Sequence, residues 1–238
     1  MDNLEQCRLC LREKPLADSH IIPEFLYKPL YDEAHRMHFF RGNEPAKDRL
    51  IQKGIREPLL CNGKDSCEQH ISRWERYAAQ VFNPKLIEGK PYNDVLVKEG
   101  IDYSSFKLFQ MSILWRASVS GIIGFREVRL GPHQERLRSM LLNDDPGEEH
   151  EFGCMMMIRS PFLQWSEQLI VSPYFTRYQG HNSITFIING IIWEYWVSSH
   201  TSKLPQYFIT KSGELPFVRM PEVAYDSLIL RATRGLLY

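Results

Sequence analysis

LLCNGKDSCEQHISRWERYAAQVF, residues 59–82, combines two cysteines with the signature of a helix start. Ser66 and Gln69 form the S-x-x-Q pattern of a capping box, whose side chains bind the free N–H groups of the first helical turn. Beyond them, apolar residues recur at helical spacing: Ile71, Trp74, Ala78 and Val81. The stretch therefore predicts an amphipathic helix with Cys67 in its first turn, where the helix dipole favours a thiolate.

Two cysteine pairs lie in the first third of the chain. Cys7 and Cys10 have the C-x-x-C spacing of a zinc knuckle, in which a tight turn directs two thiolates at one ion. Cys61 and Cys67 are separated by a segment that contains the turn-forming dipeptide Asn62-Gly63. We therefore expect one structural Zn²⁺ bound by these four cysteines. The alternative is that Cys61 and Cys67 are only small buried residues.

Composition gives no sign of a basic surface. The chain has 29 Lys plus Arg against 29 Asp plus Glu, whereas a DNA-binding domain usually carries a surplus of basic residues on one face. The first residues have no cationic segment followed by an apolar stretch, and no window approaches 18 uninterrupted apolar residues. We expect a soluble cytoplasmic protein with reduced cysteines and no membrane partner.

The sequence divides into three parts that differ in amino-acid composition. Residues 1–83 are rich in Cys, His and Pro, and we expect a small metal-organised module there. Residues 84–102 are punctuated by Pro, Gly and Asn and are interpreted as a connector. Residues 103–238 predict an α+β domain of unassigned role.

The third part contains signals for both helices and strands. Helices are predicted over about 105–122, buried and begun by a Ser cap, from Pro132 to Asn143, and from Pro221 to Gly235. Asn189-Gly190 predicts an antiparallel hairpin with strands over about 183–188 and 191–198. Further strands are predicted in the segments FGCMMMI, EQLIVSPYF and QYFIT.

SHIIPEF, residues 19–25, stands between the two cysteine pairs. Together with the C-x-x-C before it and the LLC and CEQ segments after it, this motif resembles the zinc-containing branch of the HNH endonuclease family. The resemblance covers about residues 7–82 and extends to a group of bacterial proteins with SHIIPEF-like and LLC...CEQ motifs. It implies a treble-clef zinc module with a ββα-metal fold and a nuclease activity, with bacterial defence as a possible setting.

The resemblance also implies roles for three residues. In that family a His deprotonates water while a divalent ion stabilises the leaving oxygen of the phosphodiester. His20 falls at the general-base position, and Glu68 replaces the closing His, so Glu68 is the expected ligand of a catalytic Mg²⁺ or Mn²⁺. Ser19 stands where the family has Asp, and Arg56 stands where it has Asn. The alternative for His20 is a structural hydrogen bond or a place among the zinc ligands.

Two charged residues outside the motif are interpreted from the residues around them. Arg116 lies in the apolar segment ILWRAS, and a buried guanidinium requires a carboxylate or phosphate partner. We expect a structural ion pair with Glu194, with a ligand site as the alternative. Glu75 is expected on the solvated face of the helix that follows Cys67, and Trp74 in its core.

Three hypotheses on function follow from these residues. The first is an HNH-like metal-dependent nuclease that acts on DNA or RNA. The second is a non-catalytic zinc-binding module that binds nucleic acid or a protein partner, because a resemblance in fold does not carry the chemistry with it. The third makes residues 103–238 an enzyme and the zinc module its accessory. Pairing of strand edges could also make the chain a homodimer.

Overall fold

A computed structural model describes residues 4–40, 49–52, 54–83, 87, 89–160, 170–178, 180–197 and 205–233. The protein has an α+β fold. Its strands are β1 (Glu5–Gln6), β2 (Glu13–Lys14), β3 (Leu16–His20), β4 (Arg36–Phe40), β5 (Arg49–Gln52), β6 (Arg56–Cys61), β7 (Lys90–Tyr92), β8 (Val95–Lys98), β9 (Cys154–Ser160), β10 (Ile170–Tyr178), β11 (His181–Ile188), β12 (Ile191–Trp196) and β13 (Leu215–Pro221). Its α-helices are α1 (Glu24–Tyr27), α2 (Cys67–Val81), α3 (Tyr103–Val119), α4 (His133–Leu142) and α5 (Glu222–Thr233).

An antiparallel hairpin of β3 and β6 leads into α2. At the end of this strand pair remote from α2, His20 is paired with Arg56. At the other end Leu16 is paired with Cys61, after which a turn leads into the helix. The Ser66 hydroxyl caps α2 by accepting a hydrogen bond from the backbone N–H of Gln69 at 3.3 Å. The helix begins at Cys67, so the predicted helix start is confirmed.

Nine strands of the described residues form one sheet in the order β5-β4-β10-β11-β12-β9-β13-β8-β7. The neighbours are antiparallel except for β4 with β10 and β13 with β9, which are parallel. β4 and β5 come from residues 1–83, and β7 and β8 form a hairpin within residues 84–102. The three parts distinguished in the sequence therefore contribute strands to the same sheet.

Helices cover both faces of this sheet. α3 is apolar around nearly its whole circumference because it packs on α2 and α4 as well as on the sheet. Phe109 of α3 lies 6.3 Å, between ring centroids, from Trp193 of β12. On the opposite face, Tyr225 of α5 donates a hydrogen bond from its hydroxyl to the carbonyl of Gly190 at 2.7 Å. The core thus has α3 at its centre and a smaller apolar layer beneath α5.

Most predicted elements of the third part are present. The buried helix, the helix after Pro132, the C-terminal helix and the hairpin at Asn189-Gly190 are confirmed. The buried helix starts two residues before its predicted start, because the carboxylate of Asp102, not a serine, caps it by accepting from Ser105 N at 2.8 Å. The predicted end at Gly235 lies outside the described residues.

The predicted strand at QYFIT is wrong. Residues 205–207 form a 3-10 turn, and the strand lies further on, at β13. Thr210 explains the difference, because its backbone N–H donates to the carbonyl of Glu214 at 3.0 Å and its hydroxyl accepts from Glu214 N at 3.1 Å. These local bonds close a turn and remove Thr210 from ladder pairing.

Candidate metal centre

Four cysteines from three separate segments meet at one point. Cys7 and Cys10 lie in the turn between β1 and β2, Cys61 is the last residue of β6, and Cys67 is the first of α2. Their sulfur atoms all lie within 4.8 Å of one another. A tetrahedral ion with metal–sulfur bonds of about 2.3 Å holds its sulfurs about 3.8 Å apart. The cluster therefore fits a metal ion, and it is the only group of three or more metal-ligating side chains found among the described residues.

The backbone is arranged to favour thiolates in this cluster. Cys61 N–H donates to the Cys7 sulfur at 3.2 Å, and Cys67 N–H donates to the Cys61 sulfur at 3.3 Å. A hydrogen bond from the Cys67 thiol lowers the pKa of Cys7 strongly, and the same contact together with burial raises the pKa of Cys67. Only one of two sulfurs this close ionises readily without a cation, so a bound metal would relieve the conflict.

Contacts from the second half of the chain fix the knuckle. Arg138 of α4 donates a hydrogen bond from its guanidinium to the carbonyl of Leu9 at 2.5 Å, inside the C-x-x-C turn. His70 of α2 bonds through Nε2 to the carbonyl of Leu141 at 2.9 Å. Arg12 lies beside Cys10, and a hydrogen bond between the two side chains raises the pKa of the Arg12 guanidinium. The centre is thus held against α4 and has cationic side chains beside its sulfurs.

Leu11 closes the knuckle in a left-handed conformation, with φ of 61°. Such a conformation costs an L-residue roughly 1 kcal/mol, and glycine adopts it freely. We expect Leu11→Gly to raise the free energy of unfolding by about 0.5–1 kcal/mol, because the exposed leucine side chain contributes little packing. Urea denaturation of the metal-loaded protein measures it. Leu4→Gly, at another exposed leucine, is the control, and equal destabilisation by both changes would contradict the prediction.

Ser19, His20 and Glu68 lie next to the cysteine cluster. The Ser19 hydroxyl is buried and donates to Glu68 Oε2 at 2.6 Å, while it accepts a longer bond from Leu60 N at 3.3 Å. This bond connects the end of β3 to the first turn of α2. Asp18 is exposed, and its carboxylate lies 3.6 Å from the Arg56 guanidinium.

His20 is half-buried, and its surroundings favour the neutral form of the ring. Burial lowers the pKa of His20 first, and the positive charge of Arg56 adds to that effect against the opposing carboxylate of Glu24. Its Nε2 atom is buried and has no hydrogen-bond partner within the part of the chain that the structure describes. A neutral imidazole with a free nitrogen can accept a proton or bind a cation. His70, by contrast, is directed at α4.

The predicted pairing of Arg116 with Glu194 is wrong. The Arg116 guanidinium lies 2.6 Å from Glu75 Oε1, and Glu194 instead accepts a hydrogen bond from Ser183 at 2.9 Å on a different face of the fold. Glu75 was predicted to face solvent, but it lies between α2 and α3. Burial raises the pKa of Glu75, and the charge of Arg116 opposes that rise.

Sequence reasoning missed the connection between Glu75 and the site, although a signal was present. Glu75 comes four residues after Ile71 and one after Trp74, both of which are buried, so it lies at the margin of the apolar face of α2. A helix that packs on two partners buries that margin as well. The prediction that Trp74 belongs to the core is confirmed.

Fold and site together define an α+β protein with a helical and β-sheet core and a four-cysteine cluster whose sulfur atoms lie close enough to hold a metal ion. No protein-family model matches the chain, and neither a curated protein nor a solved structure is detectably similar to it. Among the helices in the described part of the chain, none is both long and apolar enough to cross a bilayer.

Proposed function

We propose that the four cysteines bind one structural Zn²⁺ in a treble-clef arrangement. The support is the order of the ligands, which come from a knuckle, from the end of a hairpin strand and from the first residue of a helix. Four thiolates in tetrahedral proximity are the donor set that zinc accepts in structural sites. Such a site has no open position, so any hydrolysis would need a second centre.

We further propose that the chain is an HNH-like, metal-dependent nuclease that hydrolyses phosphodiester bonds in DNA or RNA. The observation that carries this proposal is the hydrogen bond from Ser19 to Glu68. It holds the Glu68 carboxylate, at the N-terminus of α2, to the residue that precedes His20, and the charge of that carboxylate acts on the His20 ring. These are the two positions that the resemblance to HNH enzymes assigns to the metal ligand and the general base.

Each residue of this site has a chemical role in the proposal. His20, neutral because of its burial, takes a proton from the attacking water. Glu68 supplies a carboxylate oxygen for Mg²⁺ or Mn²⁺, and Ser19 orients that carboxylate through one oxygen and leaves the other free to bind. The ion, when bound, would supply positive charge at the leaving oxygen. Arg56, paired with His20 across the hairpin, lies where it could contact a phosphate.

A cleavage assay tests the nuclease. Purified protein is incubated with supercoiled plasmid, linear DNA, single-stranded DNA and RNA in Mg²⁺, Mn²⁺ or Ni²⁺. We expect ion-dependent cleavage that falls about 100-fold or more in His20→Ala, because a general base contributes at least that factor. Glu68→Gln should lose most of the ion-dependent cleavage, because the ion loses its carboxylate ligand.

His35→Asn is the matched control, since His35 is exposed and has a positive φ that asparagine tolerates. All variants must retain one zinc per chain. Cleavage that survives in both His20→Ala and Glu68→Gln would argue against the nuclease proposal.

The alternative function is a non-catalytic zinc module that binds nucleic acid or a protein partner. One observation favours it: Glu68 already bonds Ser19, and the described residues offer no second group of three metal ligands near it. Absence of cleavage under every ion, together with one tightly bound zinc, would support this alternative. Binding to labelled DNA and RNA at two salt concentrations would then separate nucleic acid from a protein partner, and sedimentation would detect a homodimer.

A further inference from the structure

One arginine of α3 reaches the backbone of the proposed catalytic histidine. Arg116 donates a hydrogen bond from its terminal NH1 group to the carbonyl of His20 at 2.6 Å, and the same group contacts Glu75 of α2. Its remaining donors bond Ser112 of its own helix, Nε to the carbonyl at 3.2 Å and NH2 to the hydroxyl at 3.3 Å. The side chain is only 2% exposed. Three segments far apart in sequence therefore meet at one guanidinium.

We propose that Arg116 is a positioning residue for His20, and that α3 thereby contributes to the active site of the proposed nuclease. His20 is the last residue of β3, where ladder pairing ends and the chain turns away. Its carbonyl needs a donor to fix the direction of the backbone, and Arg116 provides a charged one. The kinetic part of this inference rests on the nuclease proposal, whereas the positioning itself can be observed without activity.

The geometry of the guanidinium suits this role. Its N–H donors point in fixed directions within the guanidinium plane, so the bonds to Ser112 on one side determine where the bond to His20 points. Glu75 balances the buried charge, because an unpaired guanidinium at this depth would be strongly unfavourable. Moving the His20 carbonyl moves the imidazole attached to the same residue relative to Glu68. A displacement of about 1 Å at a reacting group can cost about 100-fold in rate.

A purely structural ion pair and a positioning contact differ in what a double replacement does. Arg116→Met alone leaves the Glu75 carboxylate buried without a counter-charge, so it lowers both stability and activity. Arg116→Met combined with Glu75→Met removes both charges and refills the space with apolar atoms, which often restores stability. The double variant still lacks the donor to His20. Stability should therefore recover while activity does not.

The experiment compares four variants of the full chain, each with zinc bound. We expect Arg116→Met to lower kcat about 100-fold with KM changed less than about twofold. The double variant should regain the urea midpoint of the parent and keep the low kcat. Arg116→Lys should have a kcat about tenfold above that of Arg116→Met. A lysine ammonium can donate to one carbonyl, but it lacks the planar set of donors with which a guanidinium binds several partners at once. A double variant with the kcat of the parent would overturn the inference.

Arg159→Met is the matched control for loss of a buried arginine. Arg159 is 9% exposed and pairs with Glu222 and Asp226 of α5, on the far side of the sheet. Its replacement should lower stability and leave kcat at the level of the parent. A fall in kcat equal to that of Arg116→Met would mean that any buried arginine has this effect, and would overturn the inference.

A spectroscopic readout separates this inference from the nuclease proposal. The imidazole signals of His20, assigned by their loss in His20→Ala, should shift or broaden in Arg116→Met and in the double variant, and should stay unchanged in Arg159→Met. If the parent cleaves no nucleic acid, the nuclease proposal fails and the positioning role is decided by these signals. Unchanged His20 signals in both Arg116 variants would overturn it whether or not the parent is active.

Discussion

Removing the metal is expected to lower the melting temperature of the protein by about 10–20 °C. Two of the four ligands lie in the turn between the two-residue strands β1 and β2, so a bound ion would hold this short segment to the ends of β6 and α2. Structural zinc in isolated fingers contributes about 10–16 kcal/mol of apparent binding energy. Part of that binding energy is offset here by the cost of ordering the ligand segments. We therefore expect metal removal to lower the free energy of unfolding by roughly 5 kcal/mol, which corresponds to the stated shift in melting temperature for a chain of this size.

Chelation and Cys67→Ser should give the same result. Metal content is measured by mass spectrometry, with one ion per chain expected in the parent, and unfolding is followed by circular dichroism. Cys154→Ala is the matched control, because Cys154 is a buried cysteine in β9 outside the cluster and should leave the metal content unchanged. A Cys67→Ser variant that keeps both the ion and the melting temperature of the parent would contradict a structural role for the cluster.

The second large effect is expected at Lys107, which lies fully inside the core on α3. Its ammonium donates to the carbonyl of Glu149 at 3.1 Å, and burial lowers the pKa of Lys107 to about 7, an effect that nearby Cys154 and Glu149 reduce in part. In the unfolded chain a lysine ionises near its ordinary pKa of about 10.4. Between these two values the unfolded chain binds one more proton than the folded chain.

Stability should therefore rise with pH from about 7 towards 10, by up to about 1.4 kcal/mol for each pH unit from this residue. Lys107→Met removes the group and should be more stable than the parent near pH 7, with the advantage shrinking as the pH rises. Urea denaturation from pH 6.5 to 9.5 measures the difference between parent and variant, in which other titrating groups cancel. Lys64→Met, at an exposed turn, is the control, and a difference independent of pH in Lys107→Met would refute the argument.

Local signals predicted the parts of the molecule that depend on neighbouring residues. The start of α2 at Cys67 and the hairpin at Asn189-Gly190 followed from capping and turn chemistry, which act within a few residues. The four-cysteine cluster followed from spacing within each pair and from the chemistry of thiolates. For the helix start and the hairpin the deciding contacts join residues close in sequence, whereas the two cysteine pairs were predicted to meet because four thiolates suit one ion.

Contacts between distant segments could not be predicted in the same way. Pairing of β4 with β10 joins Phe39 to Ile170, and no pattern in either strand indicates its partner. The sequence predicts Glu194 as the partner of Arg116 only from the apolar residues around each, whereas the packing of α3 on α2 selects Glu75. The prediction of a strand at QYFIT was wrong for a different reason, because the side-chain hydrogen bond of Thr210 outweighed the β-propensity of the segment.

The order of strands in the large sheet has a consequence for how the chain folds as it is made. The outer strands β4 and β5 are synthesised early, but β10, on which β4 pairs, follows about 130 residues later. At roughly 5–20 residues per second, a ribosome leaves β4 waiting for about 6–26 seconds. All four cysteines are available once residue 67 has emerged from the ribosome, well before β10 is synthesised. We expect metal capture to come first during translation, before β4 can pair with β10.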